Sequence, residues 1–220
     1  MYSKAKKEHS DLVICDMTDN FEDGTKKYLN CTKFNSIYTV TPSASNKIFR
    51  KTLIGDLTFL EGRWYEDFNF TTKILLKNPK ISVISEAYYN CHVRTSSTMN
   101  NNNSLKNLDI IDVIDDLIIY AKNKRIYDDN IFKYLIFDHI LITTINRVTN
   151  QKNSDTKKVI SKLRKYCHDN LTNYKKLDFY SQVSKQRKII ASLNYYGLHN
   201  ISKIILCIKA KIKGGFLCQK

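Results

Sequence analysis

Proline and glycine are scarce in this chain, with 2 Pro and 6 Gly in 220 residues. A barrel or sandwich rich in tight turns needs more of both, so helices with a few strands are expected instead. Long apolar runs are lacking as well. No stretch of about 18 uninterrupted apolar residues occurs, which argues against a membrane-spanning helix. The cysteines (Cys15, Cys31, Cys91, Cys167, Cys207, Cys218) form no C-x-x-C pair and no metal-ligand spacing. With no signal-peptide pattern at the N-terminus, reduced thiols in a cytoplasmic protein are expected. Acids run out in one region. From Gln151 onward only Asp155, Asp169 and Asp178 face sixteen Lys and Arg, so nearly all of the formal charge of +15 lies in the last third.

What is present suffices for a core. Hydrophobic residues make up 42% and aromatics 11%, enough for one domain or two small ones and too many for global disorder. The basic field attracts anions, whether a phospholipid surface, a polyphosphate carrier or nucleic acid.

Residues 2–9 read as the polar end of a helix, and DLVICDM as a buried strand closed by Asp16, followed by the turn NFEDG. A helix end followed by a buried strand suits the middle of an α/β domain, because a parallel strand needs neighbours on both sides. Residues 46–54 read as a short strand entering a helix. EDFNFTTKILLKN reads as an amphipathic helix with Phe70, Ile74 and Leu75 on one face, and KISVISEAYYNCHV as a strand of interior type ending at Arg94. The asparagine run at 100–103 is a composition break and the expected domain boundary. Beyond it LDIIDVIDDLIIYAKNK, NIFKYLIFDHILITTINRV and HNISKIILCIKAKIKGGF repeat Ile and Leu at helical spacing, the last placing Ile201, Ile204, Ile205, Ile208 and Ile212 on one stripe.

One stretch, EGRWYEDFNF, sets the adjacent acids Glu66 and Asp67 among Trp64, Tyr65, Phe68 and Phe70. Two readings stay open. First-turn acids complement a helix dipole, worth about 0.3–1 kcal/mol each. Alternatively, a carboxylate in a partly desolvated cleft serves as general base toward a hydroxyl.

The segments SNKIFRKTLI and LTFLEGRWYEDFNFTTKILLKNPKISVISEAYYNCHVRTSST resemble the acceptor-side half of bacterial family 2 glycosyltransferases of the GT-A fold. Those enzymes build capsular, exopolysaccharide or teichoic-acid-type polymers. Their pattern runs roughly W-N-K-L-[FY]-[RK], F-x-E-G-x-x-Y-E-D-x-x-F, K-I-x-x-I, then an aromatic strand closing on R-x-x-S. MYSKAKKEHSDLVICDM resembles the family's segment just after its metal-binding D-x-D. The resemblance covers about residues 1–100 and, more loosely, the helical tail. It implies an α/β fold: a partial GT-A (Rossmann-like) domain over 1–100, followed by a basic α-helical accessory region over 101–220.

It also implies a site. Asp67 matches the catalytic base, which takes the acceptor hydroxyl's proton as that oxygen attacks the anomeric carbon of a nucleotide-sugar with inversion. Glu66, Asn46, Lys47 and Trp64 would shape the acceptor pocket. Arg94 matches an arginine that contacts phosphate, although a surface arginine at a strand end reads equally well. His92 stands where the family often has Arg and inherits no role; Ser45 stands where it usually has Trp, so a stacking surface is missing.

The family's early strand, its D-D-G-S turn and its D-x-D, which holds Mg²⁺ or Mn²⁺, do not occur in this sequence. The chain therefore resembles a truncated or split enzyme, with the metal expected only for the complete protein and the isolated chain expected to be inactive. The expected function is transfer of a sugar from a nucleotide-sugar to a lipid-linked or polysaccharide acceptor. The alternative is a non-catalytic partner or scaffold module that retains the glycosyltransferase surface. The basic tail would sit peripherally on the inner face of the cell membrane, each Lys or Arg near an anionic surface contributing about 1 kcal/mol. A helical-bundle core with solvated lysines is the other reading of the tail. Nucleic acid is disfavoured as a partner, since no nucleic-acid motif accompanies the lysines and the C-terminal apolar stripe suits lipid.

Overall fold

The computed structural model describes residues 1–34, 36–94, 103–151 and 153–212. The fold is mixed α/β and divides into two compact units, Met1–Asn101 with Asp116–Tyr127, and Asn102–Asp115 with Asp128–Lys220. The boundary expected at 100–101 lies outside the described residues. Residues 116–127, expected with the tail, group with the first unit. The physical reason is Asp116, whose carboxylate pairs with Lys73 Nζ at 2.7 Å and accepts from Asn69 Nδ2 at 2.7 Å.

In the first unit the elements are α1 (Tyr2–Glu8), β1 (Leu12–Phe21), β2 (Lys26–Leu29), β3 (Lys47–Phe49), α2 (Lys51–Ile54), α3 (Glu66–Leu76) and β4 (Ile81–Val93). The strand β1 is central. β4 runs parallel to it from Leu12 to Phe21, slipping register around Asp16. On its other edge β3 pairs antiparallel with Leu12–Ile14, and β2 pairs antiparallel with Met17–Asn20. The strand does not close at Asp16 as its composition suggests, because both neighbours continue past that residue. NFEDG still turns the chain, with Gly24 at φ 81° closing the β1–β2 hairpin.

Leu12, Ile14 and Met17 of β1 join Cys31, Val40 and Leu75 in the core of this unit. Val13 and Cys15 point to the opposite face and are equally buried. α1 packs on β1 and β4. The helix α3 is not amphipathic: every residue from Phe68 to Leu76 is buried. Two polar members of that buried run, Asn69 and Lys73, meet Asp116. β4 departs from its interior appearance, since from Ala87 onward it alternates half-buried and exposed residues.

The second unit is helical. α4 (Asp109–Asn123) contributes its first turns, with Ile110, Val113 and Ile114 fully buried. Then come α5 (Asp129–Leu135), which continues through a π-helical stretch (Ile136–Thr144) into α6 (Ile145–Asn150), and α7 (Thr156–Asn170). α8 (Asp178–Gln182), α9 (Lys185–Tyr195) and α10 (His199–Ile212) complete the described elements. The acidic pair in YDDN has a structural use, because the Asp128 side chain caps α5 by accepting from the N–H groups of Asn130 and Ile131. Phe132, Phe137, Ile140, Leu141, Ile145, Leu163 and Cys167 form the fully buried interior. Arg164 of α7 donates to the carbonyls of Asn194 and Tyr195 at 3.1 and 3.0 Å, closing the C-terminus of α9. A Cβ on Gly197, at φ 84°, would meet that guanidinium at 3.0 Å.

No helix among the described residues is long and apolar enough to cross a membrane. Cys15, Cys31, Cys91 and Cys167 are free thiols.

The buried carboxylate of Asp16 is the polar lock of the first unit. Its Oδ1 accepts from the N–H groups of Cys31 and Thr32 at 2.7 and 2.9 Å, and its Oδ2 accepts from the Tyr28 hydroxyl. Burial pushes its carboxyl up, but these donors outweigh burial and hold it below the usual carboxylate value. The Tyr28 hydroxyl is correspondingly pushed up to about 12. Asp16→Ala leaves three donors without their acceptor and is expected to cost about 3 kcal/mol or more in urea unfolding, with Asp16→Asn retaining part of the loss. Since the folded-state value is depressed, the contribution of Asp16 is present above pH 4 and fades as pH falls below about 4. An acid limb in the stability profile that survives Asp16→Ala unchanged would refute this role.

Candidate functional site

The site is built where β3 and α3 begin. Asn46 precedes β3 and completes the hydrogen bonding of β1 at the point where the β3 ladder ends. Its carbonyl accepts from Cys15 N–H at 3.0 Å, and its side-chain Nδ2 donates to the Cys15 carbonyl at 2.6 Å. The other end of the same amide accepts from Lys47 Nζ at 2.8 Å. Lys47, 7% exposed, donates also to the carbonyls of Thr41 and Ser43 at 2.7 and 2.5 Å. Three N–H bonds thus meet three acceptors, which saturates an ammonium. Burial pushes Lys47 down from 10.5 to about 8, offset in part by Cys31 and then Asp67.

The loop from Glu61 to Tyr65 delivers the acids. Gly62 has φ 68°, and Tyr65 occupies the left-handed region at φ 67°, rare for an aromatic residue. Tyr65 is the N-cap of α3 and offers no side-chain cap, so Glu66 and Asp67 stand in the first turn, where free N–H groups face anions. Phe70 anchors the helix below them, stacked on Phe59 with ring centroids 4.4 Å apart and edge-to-face with Phe49 at 5.6 Å. The two acids part company in exposure. Glu66 is exposed and Asp67 half-buried, so the desolvation expected for the pair falls on Asp67.

Of the residues assigned from sequence, Asn46, Lys47 and Asp67 come together: the first two are hydrogen-bonded, and Asp67 lies within electrostatic reach of Lys47. Trp64 is half-buried in the loop before α3. Arg94 is exposed beyond the end of β4, with His92 exposed two residues earlier. Ser45 is exposed and bonds Ser43 at 2.7 Å. Sequence reasoning missed Cys15, which bonds Asn46, Cys31, which lies within electrostatic reach of Lys47, and Asp16, which holds the N–H groups of Cys31 and Thr32. The signal was an acid inside an apolar run, LVICDM.

The Mg²⁺ or Mn²⁺ implied by the resemblance finds no fit in these residues. Among the described residues no group of three or more His, Cys, Asp or Glu is placed to hold a metal ion. Compared with known proteins, the chain matches no family model and no curated protein.

Lys47 gives the site a measurable titration. A folded-state value near 8 against an ordinary 10.5 means that the unfolded chain binds the extra proton between those values. Stability attributable to Lys47 therefore rises with pH from about 8 to 10.5, by about 3 kcal/mol. Lys47→Met is expected to abolish that rise while leaving titrations common to both proteins in place. Urea unfolding of the two proteins at intervals across that window measures the difference, and parallel profiles would show that Lys47 titrates normally.

Proposed function

We propose that this chain supplies the acceptor side of an inverting glycosyltransferase, with a nucleotide-sugar as donor and a lipid-linked or glycan hydroxyl as acceptor. The observation that carries the reading is the meeting of half-buried Asp67, at the first turn of α3, with the saturated Lys47–Asn46 pair at the start of β3. Asp67 is the general base. Its carboxylate takes the acceptor's hydroxyl proton while that oxygen forms a bond to the anomeric carbon, and the bond to the nucleotide diphosphate breaks on the opposite face. Lys47 and Asn46 act as positioning residues, because their polar atoms are engaged within the protein. They hold the strand and the 41–46 loop against which the acceptor packs. Glu66, open to solvent, orients the acceptor; Trp64 gives a flat surface for a sugar ring, and Arg94 a cation for phosphate.

The motifs that bind nucleotide and Mg²⁺ or Mn²⁺ in family 2 enzymes are not among residues 1–220. The reading therefore assigns donor binding to polypeptide outside this sequence, as part of a longer chain or as a second chain. It places the protein in the cytoplasm, peripherally on the inner face of the cell membrane, where a lipid-diphosphate acceptor is presented. The basic second unit is the attraction to that surface.

A chimera carrying the nucleotide-binding half of a family 2 enzyme tests the assignment. Asp67→Asn keeps size and much of the hydrogen bonding but removes the proton acceptor, so turnover should fall by about 10²–10⁴-fold with acceptor KM nearly unchanged. Glu66→Gln should raise KM with a smaller effect on turnover. Acids that merely complement a helix dipole would instead cost under about 1 kcal/mol of stability and leave the rate alone. Transfer by Asp67→Asn at the unmutated rate would sink the base assignment. A folded chimera with no transfer at all would favour the scaffold reading.

A further inference from the structure

The last described helix leaves an apolar stripe uncovered within its own unit. Ile201, Ile204 and Ile208 of α10 are 45%, 57% and 53% exposed, and Leu198, just before the helix, is 48% exposed. At 100° per residue these isoleucines share one face, while Ser202, fully buried, marks the face turned inward. Ile189 and Tyr196, in and just after α9, add two more exposed apolar side chains to the same helical pair.

A recess of about 330 Å³ adjoins this pair of helices. Ile142, Ile190 and Leu206 line it with apolar groups, and Ser184, Arg187 and Lys209 with polar ones. Leu206 puts this recess on the inward side of α10, away from the isoleucine stripe, and its cations are engaged there, Arg187 by the Asp138 carboxylate and Lys209 by Gln186. Lys157, Lys158, Lys165, Lys175 and Lys185 of the same unit are exposed as well.

We infer that the outer face of α10 is a docking surface for an anionic phospholipid bilayer, with Lys203 and Lys209 of the same helix flanking the isoleucine stripe at headgroup level. The inference deepens the membrane location proposed above and rests on that reading. Charge complementarity selects the occupant: the region from Gln151 onward carries sixteen cations against three acids. A second copy of so cationic a surface would be repelled, whereas anionic headgroups are attracted. Length selects the mode of binding. A helix of 14 residues is about 21 Å long, short of the ~30 Å hydrocarbon core, so it lies in the interface with its isoleucines toward the acyl chains.

Co-sedimentation of the full chain with vesicles tests this without any sugar transfer, so its failure and the failure of the glycosyltransferase reading are separable. Binding to mixed phosphatidylcholine–phosphatidylglycerol vesicles should exceed binding to phosphatidylcholine alone by about tenfold or more, and should fall as salt shortens the Debye length. The triple variant Ile201→Ser, Ile204→Ser, Ile208→Ser should lose about tenfold or more with unchanged circular dichroism, since those side chains are exposed in the fold. Independently, Lys203→Gln with Lys209→Gln should lower binding to the anionic mixture severalfold. Unchanged binding by either variant overturns the surface assigned here, as does equal binding to both vesicle types. Displacement by millimolar inorganic phosphate would make it a free-anion site. Concentration-dependent dimers without lipid, abolished in the triple variant, would assign the stripe to a second copy; each of these two outcomes overturns the inference.

Discussion

A strand buried on both faces can leave none of its backbone N–H and C=O groups without a partner, and in the first unit that demand falls on β1. β4 answers it along one whole edge, and β3 and β2 answer it along parts of the other. The interval between β3 and β2, at Cys15 and Asp16, is where ordinary ladder pairing stops. Asn46 fills the first position with its carbonyl and its side-chain amide. Asp16 uses the second, turning its carboxylate to the N–H groups of Cys31 and Thr32. The residues that shape the candidate site are thus first of all the residues that complete a sheet.

This origin explains why two charged groups are tolerated so close to the core. Taking a charge out of water is costly unless dipoles replace the water. Asp16 is surrounded by donors and Lys47 by acceptors, and each set comes chiefly from backbone between β2 and β3. Asp16 keeps its charge readily, because N–H and O–H donors favour the anion. Lys47 keeps its charge less readily, because carbonyl oxygens do not fully offset burial. The neighbouring negative charge of Asp67 then favours the charged lysine, so the base proposed for the acceptor and the cation that holds the loop are coupled.

How far this was legible in the sequence follows from the same physics. Apolar runs and periodicity located β1, β3, α3, β4, α4, the run from α5 to α6, and α10, and α1 was legible as a polar helix end; α7, α8 and α9, whose segments are richer in lysine and polar residues, were not singled out. The pairing did not follow, since nothing local says that β4 is parallel to β1 or that β2 exists at all: KKYL is a short, polar strand held by a hairpin. The burial of Asn69, Thr72 and Lys73 was equally hidden, for it depends on Asp116 far along the chain. Glu66 and Asp67 were legible as a pair by type and spacing, and Asn46 and Lys47 by resemblance to a family motif. That Asn46 and Lys47 face inward could not be read, because their partners are mostly backbone carbonyls that any sequence would provide.

The same limit applies to the turn that carries the acids. A left-handed aromatic residue costs about 1–3 kcal/mol and persists only where the surroundings fix it. Tyr65 is fixed from both sides: Phe70 is clamped between Phe59 and Phe49, and α3 is buried from Phe68 to its end. With the helix buried along its length, the direction change is made at its N-cap, Tyr65. The chain then enters the helix with Glu66 outward and Asp67 turned partly toward Lys47. Two adjacent, chemically similar acids become unequal because successive residues of a helix point about 100° apart, and in the proposed reading that inequality lets one be a base and the other a surface contact.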